Sequence, residues 1–286
     1  MKRFLGSIGV MAIAILASAA GTHDRIPSLP TATALHKGIS LRRTVSEMRE
    51  ALHSPSLRVY VAAILVFAVS SGLQRVLDLY MRTYYWRLDP DQIFQIGMVE
   101  LTGAVVGIPF WARASRTIDK KWTFVVGILL WGGFVAIPPL ADLLGIFPGI
   151  ESQAYLPLLA VAGFIAAFGS CGNYAVGGSL MADLIDEHEL DSGHRRAGLF
   201  FGVINFASKF TPIAGITLAS FVLAWAGLEG GVDVEAVSPE SIRRLGLVFG
   251  PVVMGLTIVV GVVMSRYSID RVKLHAIQDR LAEQAN

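Results

Sequence analysis

Long apolar runs alternate with short polar connections along nearly the whole chain. Seven runs have the length that a membrane span needs, about 20 mainly apolar residues. They cover residues 4–21, 59–80, 93–112, 122–144, 155–182, 198–228 and 245–265. In lipid each backbone must satisfy its own hydrogen bonds, so every run predicts a helix. The fifth and sixth runs are longer than a bilayer requires and are expected to tilt or to project from it. The predicted fold is an all-α polytopic membrane protein with about seven transmembrane helices.

The connections differ in charge. Arg25, Lys37, Arg42, Arg43 and Arg49 occupy the first, and Arg113, Arg116, Lys120 and Lys121 the third. Arg195 and Arg196 are in the fifth, and Arg266, Arg271, Lys273 and Arg280 follow the last span. The fourth has no basic residue, and the sixth carries Glu229, Asp233, Glu235 and Glu240 before Arg243 and Arg244. Basic connections stay in the cytoplasm, so the odd connections and the tail are expected there. The first span then enters from outside. Its start, with Lys2 and Arg3 before an apolar centre and a small-residue "ASA", also looks like a secretory signal peptide. Cleavage there would invert every later loop, and the three basic connections outweigh two N-terminal charges.

Composition agrees with a membrane class and removes others. The chain is 53% hydrophobic and 16% charged, with a mean hydropathy of +0.58. Soluble domains carry about 25% charged residues. The single cysteine, Cys171, rules out an intrachain disulfide and a cysteine-based metal site. No GxxxxGK loop supports ATP-driven pumping. No nucleophile–base pair or metal cluster suggests an enzyme, and nothing in the sequence suggests a nucleic-acid partner. No cofactor is expected.

Two polar segments have helical signals of their own. Thr44 and Glu47 fit a capping box within the connection 27–55. In the tail, Ile269, Val272, Ala276, Ile277 and Leu281 fall near one face, suited to the membrane surface or to the bundle. Small residues recur at four-residue spacing: Gly103 and Gly107, Gly246 and Gly250, and Ala167, Cys171, Ala175 and Ser179. Such ladders let helices approach closely in lipid, and packing alone is a sufficient reason for them.

The stretch "SLMADLIDEHELDSGHRRAGLFFGVINFASKFTPIAG" stands apart. Asp183, Asp186, Glu187, Glu189 and Asp191 follow the fifth apolar run, and Arg195 and Arg196 precede the sixth. Carboxylates at a helix C-terminus oppose its dipole, so they call for cations, of which these two arginines are nearest in sequence. A solvated loop is the plain alternative. Lys209 lies eleven residues beyond Gly198, about 16 Å into a span whose apolar core is about 30 Å thick. Ionisable groups at such depth face the bundle interior and mark ion or substrate paths. Asn205, four residues earlier, shares its face. Arg75 and Asp78, three residues apart, can satisfy one another; neither they nor Glu100 stand clearly at the depth of Lys209. Pro212 is expected to loosen the helix after the lysine.

The same stretch resembles the junction between the tenth and eleventh helices of the glycoside–pentoside–hexuronide:cation symporters, the melibiose-carrier branch of the major facilitator superfamily. That pattern is close to A-D-x-x-D-Y-x-E-x-x-T-G-x-R-x-E-G, followed by an aromatic-rich helix with a lysine. Ala182, Asp183, Asp186, Glu189, Gly193, Arg195, Gly198 and Lys209 match it. Glu187 replaces the tyrosine, Ser192 the threonine and Ala197 the glutamate. Weaker echoes are "GTHDRIPSLP", "LDLYMRTYYW" and "GIPFWARASRTIDKKWTFVVG".

The resemblance implies a twelve-helix sugar:cation symporter of two six-helix halves, of which this chain holds about helices six to twelve. Residues 1–24 would be the last helix of the first half, 25–57 the cytoplasmic middle loop, 58–268 the C-terminal bundle and 269–286 a cytoplasmic tail. It implies a small sugar as substrate, Na+ or H+ as coupling cation, and the inner (plasma) membrane as location. Lys209 and Asn205 would serve substrate or cation coupling. Asp183, Asp186, Glu189, Arg195 and Arg196 would form a cytoplasmic gate. The family's coupling carboxylates sit on first-half helices, so the partners implied besides lipid are a separate N-terminal half or a second copy of this chain. Such a chain alone is not expected to perform coupled transport. Other readings are a non-transporting remnant or interaction module, and a seven-helix receptor or retinal protein. The last is disfavoured because a retinal lysine belongs on the final helix and Lys209 is on the penultimate one.

Overall fold

The computed structural model describes residues 54–228 and 237–285, with a few helical positions between 11 and 21. Residues 1–45 and 46–286 cluster as two separate units. Most of the 4–21 run, the Thr44–Glu47 box and Glu229, Asp233 and Glu235 lie outside the described residues.

The second unit is a bundle of long helices. Helix α1 spans Pro55–Tyr80 and continues through a π-helical turn, Met81–Tyr85. Then follow α2 (Pro90–Thr117), α3 (Lys120–Leu143), α4 (Tyr155–Ser192) and α5 (Ala197–Ala226). A short α6 (Pro239–Leu247) runs through a second π turn, Val248–Val252, into α7 (Val253–Ser265). The tail helix α8 covers Arg271–Ala285. No strand occurs among the described residues. Five continuous helical stretches are long and apolar enough to cross a membrane: Pro55–Tyr85, Pro90–Thr117, Lys120–Leu143, Tyr155–Ser192 and Pro239–Ser265. Helix α5, 30 residues long, is helical across position 212 as well, so Pro212 does not end it.

Local chemistry sets the helix ends. Ser54 caps α1 by accepting from Leu57 N–H, with Pro55 at the first position. Asp89 and Gln92 form a reciprocal capping box at the start of α2. Gly193 and Gly227 close α4 and α5 with φ of 69° and 72°, a left-handed conformation that costs glycine little. Nothing in "MADLIDEHELDS" breaks a helix before Gly193. The acidic burst is therefore the last turns of α4 itself, not a loop after the span.

The seams are built from close backbone approach. A Cβ on Gly103 would lie 2.4 Å from the Phe164 carbonyl oxygen, and one on Gly215 would lie 2.6 Å from the Gly72 backbone. Gly103 and Gly107 thus seat α2 on α4, and Gly72 and Gly215 seat α1 on α5. Of the ladder on α4, Cys171 faces the same seam, where its thiol donates to the Ala104 carbonyl at 3.5 Å; Ala175 is exposed. The outer side of α2 exposes Phe94, Met98, Leu101, Val105, Ile108 and Phe110, a surface suited to lipid tails.

Two apolar cores divide the bundle. One gathers Leu57, Tyr60, Phe124, Ile128, Leu180, Leu184, Phe200, Met264 and Tyr267. The other gathers Leu73, Leu77, Met81, Trp86, Tyr155, Leu159, Leu245 and Phe249. The tail turns Ile269 and Ile277 into the fold, while Val272 and Ala276 are exposed. Its packing face keeps Ile269, Ile277 and Leu281 of the expected set and takes Leu274 in place of Val272 and Ala276, and it lies on the end of α4.

Candidate functional site

The ends of α1, α3, α4 and α8 meet in a web of charges. Asp183, 4% exposed, accepts from Lys120 Nζ at 2.7 Å on both carboxylate oxygens. Glu187 accepts from Lys273 Nζ at 2.5 Å and from the Ser56 hydroxyl at 3.1 Å. Arg195 reaches back to Asp186 at 2.9 Å and to Glu189 at 2.5 Å. Those two bonds raise the Arg195 pKa, Glu189 having the larger part. Arg271 stands 3.5 Å from Asp119 and donates to the carbonyls of Ser115 and Ile118. Tyr267, beyond the end of α7, donates to the Leu180 carbonyl, and burial next to Asp183 and Glu187 pushes its phenol pKa up.

The five acids therefore do not all turn to Arg195 and Arg196. Successive side chains on α4 point to different neighbours, because a helix turns 100° per residue. Only Asp186 and Glu189, three apart, share the Arg195 face. Asp183 is held by a lysine 63 residues earlier and Glu187 by one 86 residues later. Arg196 occupies the N-cap position of α5. Glu187, a departure from the resemblance pattern, is a structural anchor here.

The opposite end holds a second ion cluster. Arg82, in the π turn, donates to Asp78 at 2.8 Å and to Glu100 on α2 at 2.7 Å. Gln74 donates to the other Asp78 oxygen at 3.3 Å. The expected Arg75–Asp78 pair does not form: Asp78 turns to Arg82, one helical turn onward, and Arg75 is exposed. The π turn is fixed by Trp86 N–H to the Met81 carbonyl, Tyr155 hydroxyl to the Trp86 carbonyl and Tyr85 hydroxyl to Asp142, the last two at 2.7 Å. Single π turns are frequent at functional sites, and this one carries Arg82.

Lys209 and Asn205 lie together on the exposed face of α5. Lys209 makes no ion pair with any described residue. Beside it a groove of about 520 Å³ runs between α1, α4 and α5, lined by Ser71, Arg75, Tyr174 and Ser208 among mostly apolar residues. Tyr174 is 74% exposed. Two cations and several hydrogen-bonding groups thus face outward from helices long enough to cross a membrane, where lipid alone cannot solvate them.

A family model for MFS/sugar transport proteins matches residues 4–271. The chain belongs to the MFS/sugar transport family. It is similar to an uncharacterised symporter of Synechocystis sp., sll1374, with 24% identity over 156 residues. That match covers 54% of this chain and 27% of the relative, so the chain spans about a quarter of that relative's length. The five membrane-length helices among the chain's described residues fit a multi-pass membrane protein of that family. No group of three or more His, Cys, Asp or Glu fit for a metal occurs among the described residues.

Proposed function

We propose that this chain supplies about helices six to twelve of a melibiose-carrier-like symporter, moving a sugar or glycoside across the plasma membrane with Na+ or H+. The supporting observation is the outward polar face of α1, α4 and α5, with Lys209, Asn205, Ser208, Tyr174 and Arg75 on membrane-length helices. Facilitator-type transport rocks one bundle against another around a midplane site. The proposed partner is the other bundle, or a second copy of this chain, carrying carboxylates opposite Lys209. Asn205 is the proposed sugar contact next to it.

The opposite role falls to the web at the end of α4. Asp183, Asp186, Glu189, Arg195 and Arg196 act as a cytoplasmic gate, made and broken as the bundles move. Of these, the Arg195 pairs suit a gate best, since both join an exposed arginine to the end of α4. Asp183 with Lys120 suits a fixed strut.

The test is uptake of radiolabelled sugars by liposomes under imposed sodium and proton gradients, with the 286-residue chain alone and with a co-expressed first bundle. Uptake is expected only with the partner and is expected to vanish in Lys209→Ala. Gradient-driven uptake by a demonstrated monomer would refute the need for a partner. No uptake in any arrangement of folded protein would refute transport.

A further inference from the structure

Besides the α5 groove, the bundle holds a separate cavity of about 280 Å³ between α1, α2, α3 and α4. Ligand pockets start at about 300 Å³, so this one suits a very small ligand. Its wall carries Gln74, Asp78 and Arg82 from α1 and its π turn, Glu100 from α2, and the indoles of Trp86 and Trp131. The α3 and α4 lining adds no charge: it is Phe134, Pro138, Pro139, Gly163 and Ser170 with apolar neighbours. Two carboxylates against one guanidinium leave the wall with one net negative charge.

The hydrogen-bond inventory of this wall is incomplete in a specific way. Arg82 occupies Glu100 Oε1 and Asp78 Oδ2, and Gln74 occupies Asp78 Oδ1. Glu100 Oε2, Gln74 Oε1 and the indole N–H groups of Trp86 and Trp131 have no partner among the described residues. Two acceptors and two donors, on residues that line one small space, are thus free of protein partners among the described residues. A hydroxyl both donates and accepts, so a polyol satisfies such a mixed set, whereas a purely apolar ligand leaves it unmet. Glu100 is also seated deliberately. A Cβ at position 163 would lie 2.9 Å from Glu100 Oε1 and 3.0 Å from its Cγ, so Gly163 makes room for the carboxylate.

We propose that this cavity is a second sugar site, inside the bundle and distinct from the α5 face, which takes an uncharged monosaccharide and excludes hexuronates. Glu100, Gln74 and the two indoles bind its hydroxyls, and Arg82 positions Glu100. The net negative wall repels an anionic sugar. The choice of a sugar as ligand rests on the transport reading; the site's position and charge preference do not.

The test is equilibrium dialysis of the detergent-solubilised 286-residue chain with labelled D-glucose, D-xylose and D-glucuronate. Saturable binding of an uncharged sugar is expected, with no binding of glucuronate. Glu100→Gln is expected to weaken it about tenfold, since it removes a charged acceptor. Gly163→Ala, which displaces Glu100, and Trp131→Phe, which removes one N–H, are expected to weaken it about threefold to tenfold. Both also serve if Glu100→Gln does not fold. Glu240→Gln, at an exposed pair with Arg244, is expected to leave binding unchanged. Three results would overturn the site: no saturable binding of either uncharged sugar by folded chain, glucuronate bound as tightly as glucose, or binding indifferent to the Glu100, Gly163 and Trp131 changes. Because dialysis needs no transport, binding lost in Glu100→Gln upholds the site even where liposomes take up nothing. Uptake that persists with indifferent binding upholds transport and sinks the site.

Discussion

Asp183 and Lys209 are both charged, both on membrane-length helices, and 26 positions apart by their numbers, yet they live in opposite circumstances. Asp183 is buried and gripped by Lys120 through both oxygens. Lys209 stands on an exposed helix face with no ion pair among the described residues. The first charge is satisfied by its own bundle and so can serve as structure. The second can only be satisfied from outside the described bundle. Within one short stretch of sequence, partnering and not charge separates the two residues.

This contrast makes graded predictions. Breaking the strut has the largest effect. Asp183→Asn strands the Lys120 ammonium at a partly buried contact and is expected to lower stability by roughly 2–3 kcal/mol, read as a fall in the unfolding midpoint in detergent. Adding Lys120→Met is expected to recover much of the loss, because the stranded charge is then gone. No recovery would mean that Asp183 acts through something other than this pair.

Helix approach comes next. Gly103→Ala forces α2 and α4 apart at a contact already at its limit and is expected to cost about 1–3 kcal/mol. Gly97→Ala, with nothing within 4 Å of its Cβ, is the matched control, and an equal loss there would remove the seam from the argument. A smaller stability effect is expected at the gate. Arg195 is more than half exposed, so Arg195→Gln should change stability by at most about 1 kcal/mol. In an assembled transporter its turnover should fall with little change in sugar affinity. A large affinity loss at normal turnover would count against a gate. Least of all should Lys209→Ala disturb the fold, by about 0.5 kcal/mol or less, while abolishing coupled uptake. If it destabilises the isolated chain as Asp183→Asn does, the lysine has an internal partner and the contrast collapses.

Five of the expected spans were legible because lipid imposes a length and an apolar composition that sequence displays directly. Helix α4 was read too short, since the hydropathy ends near Ala182 while the backbone continues to Gly193, the first residue that favours a left-handed turn. Distance along the chain hid the partners: nothing near Asp183 or Glu187 points to Lys120 or Lys273. The Arg82 cluster was missed for a different reason. Asp78 and Arg82 are four apart, a spacing that pairs on a helix as readily as three, but Arg82 lies past the end of the apolar run. The π turn that carries it leaves no mark in composition.

The ion web also dictates an order of events at birth. Lys120 emerges from the ribosome 63 residues before Asp183, a lag of roughly 3–13 s at about 5–20 residues per second. Glu187 waits a further 86 residues for Lys273. Asp183 therefore meets a lysine already made, whereas Glu187 lacks its lysine until residue 273 has been synthesised. A bundle truncated before residue 273 therefore keeps Asp183 locked to Lys120 but leaves Glu187 without its ammonium partner.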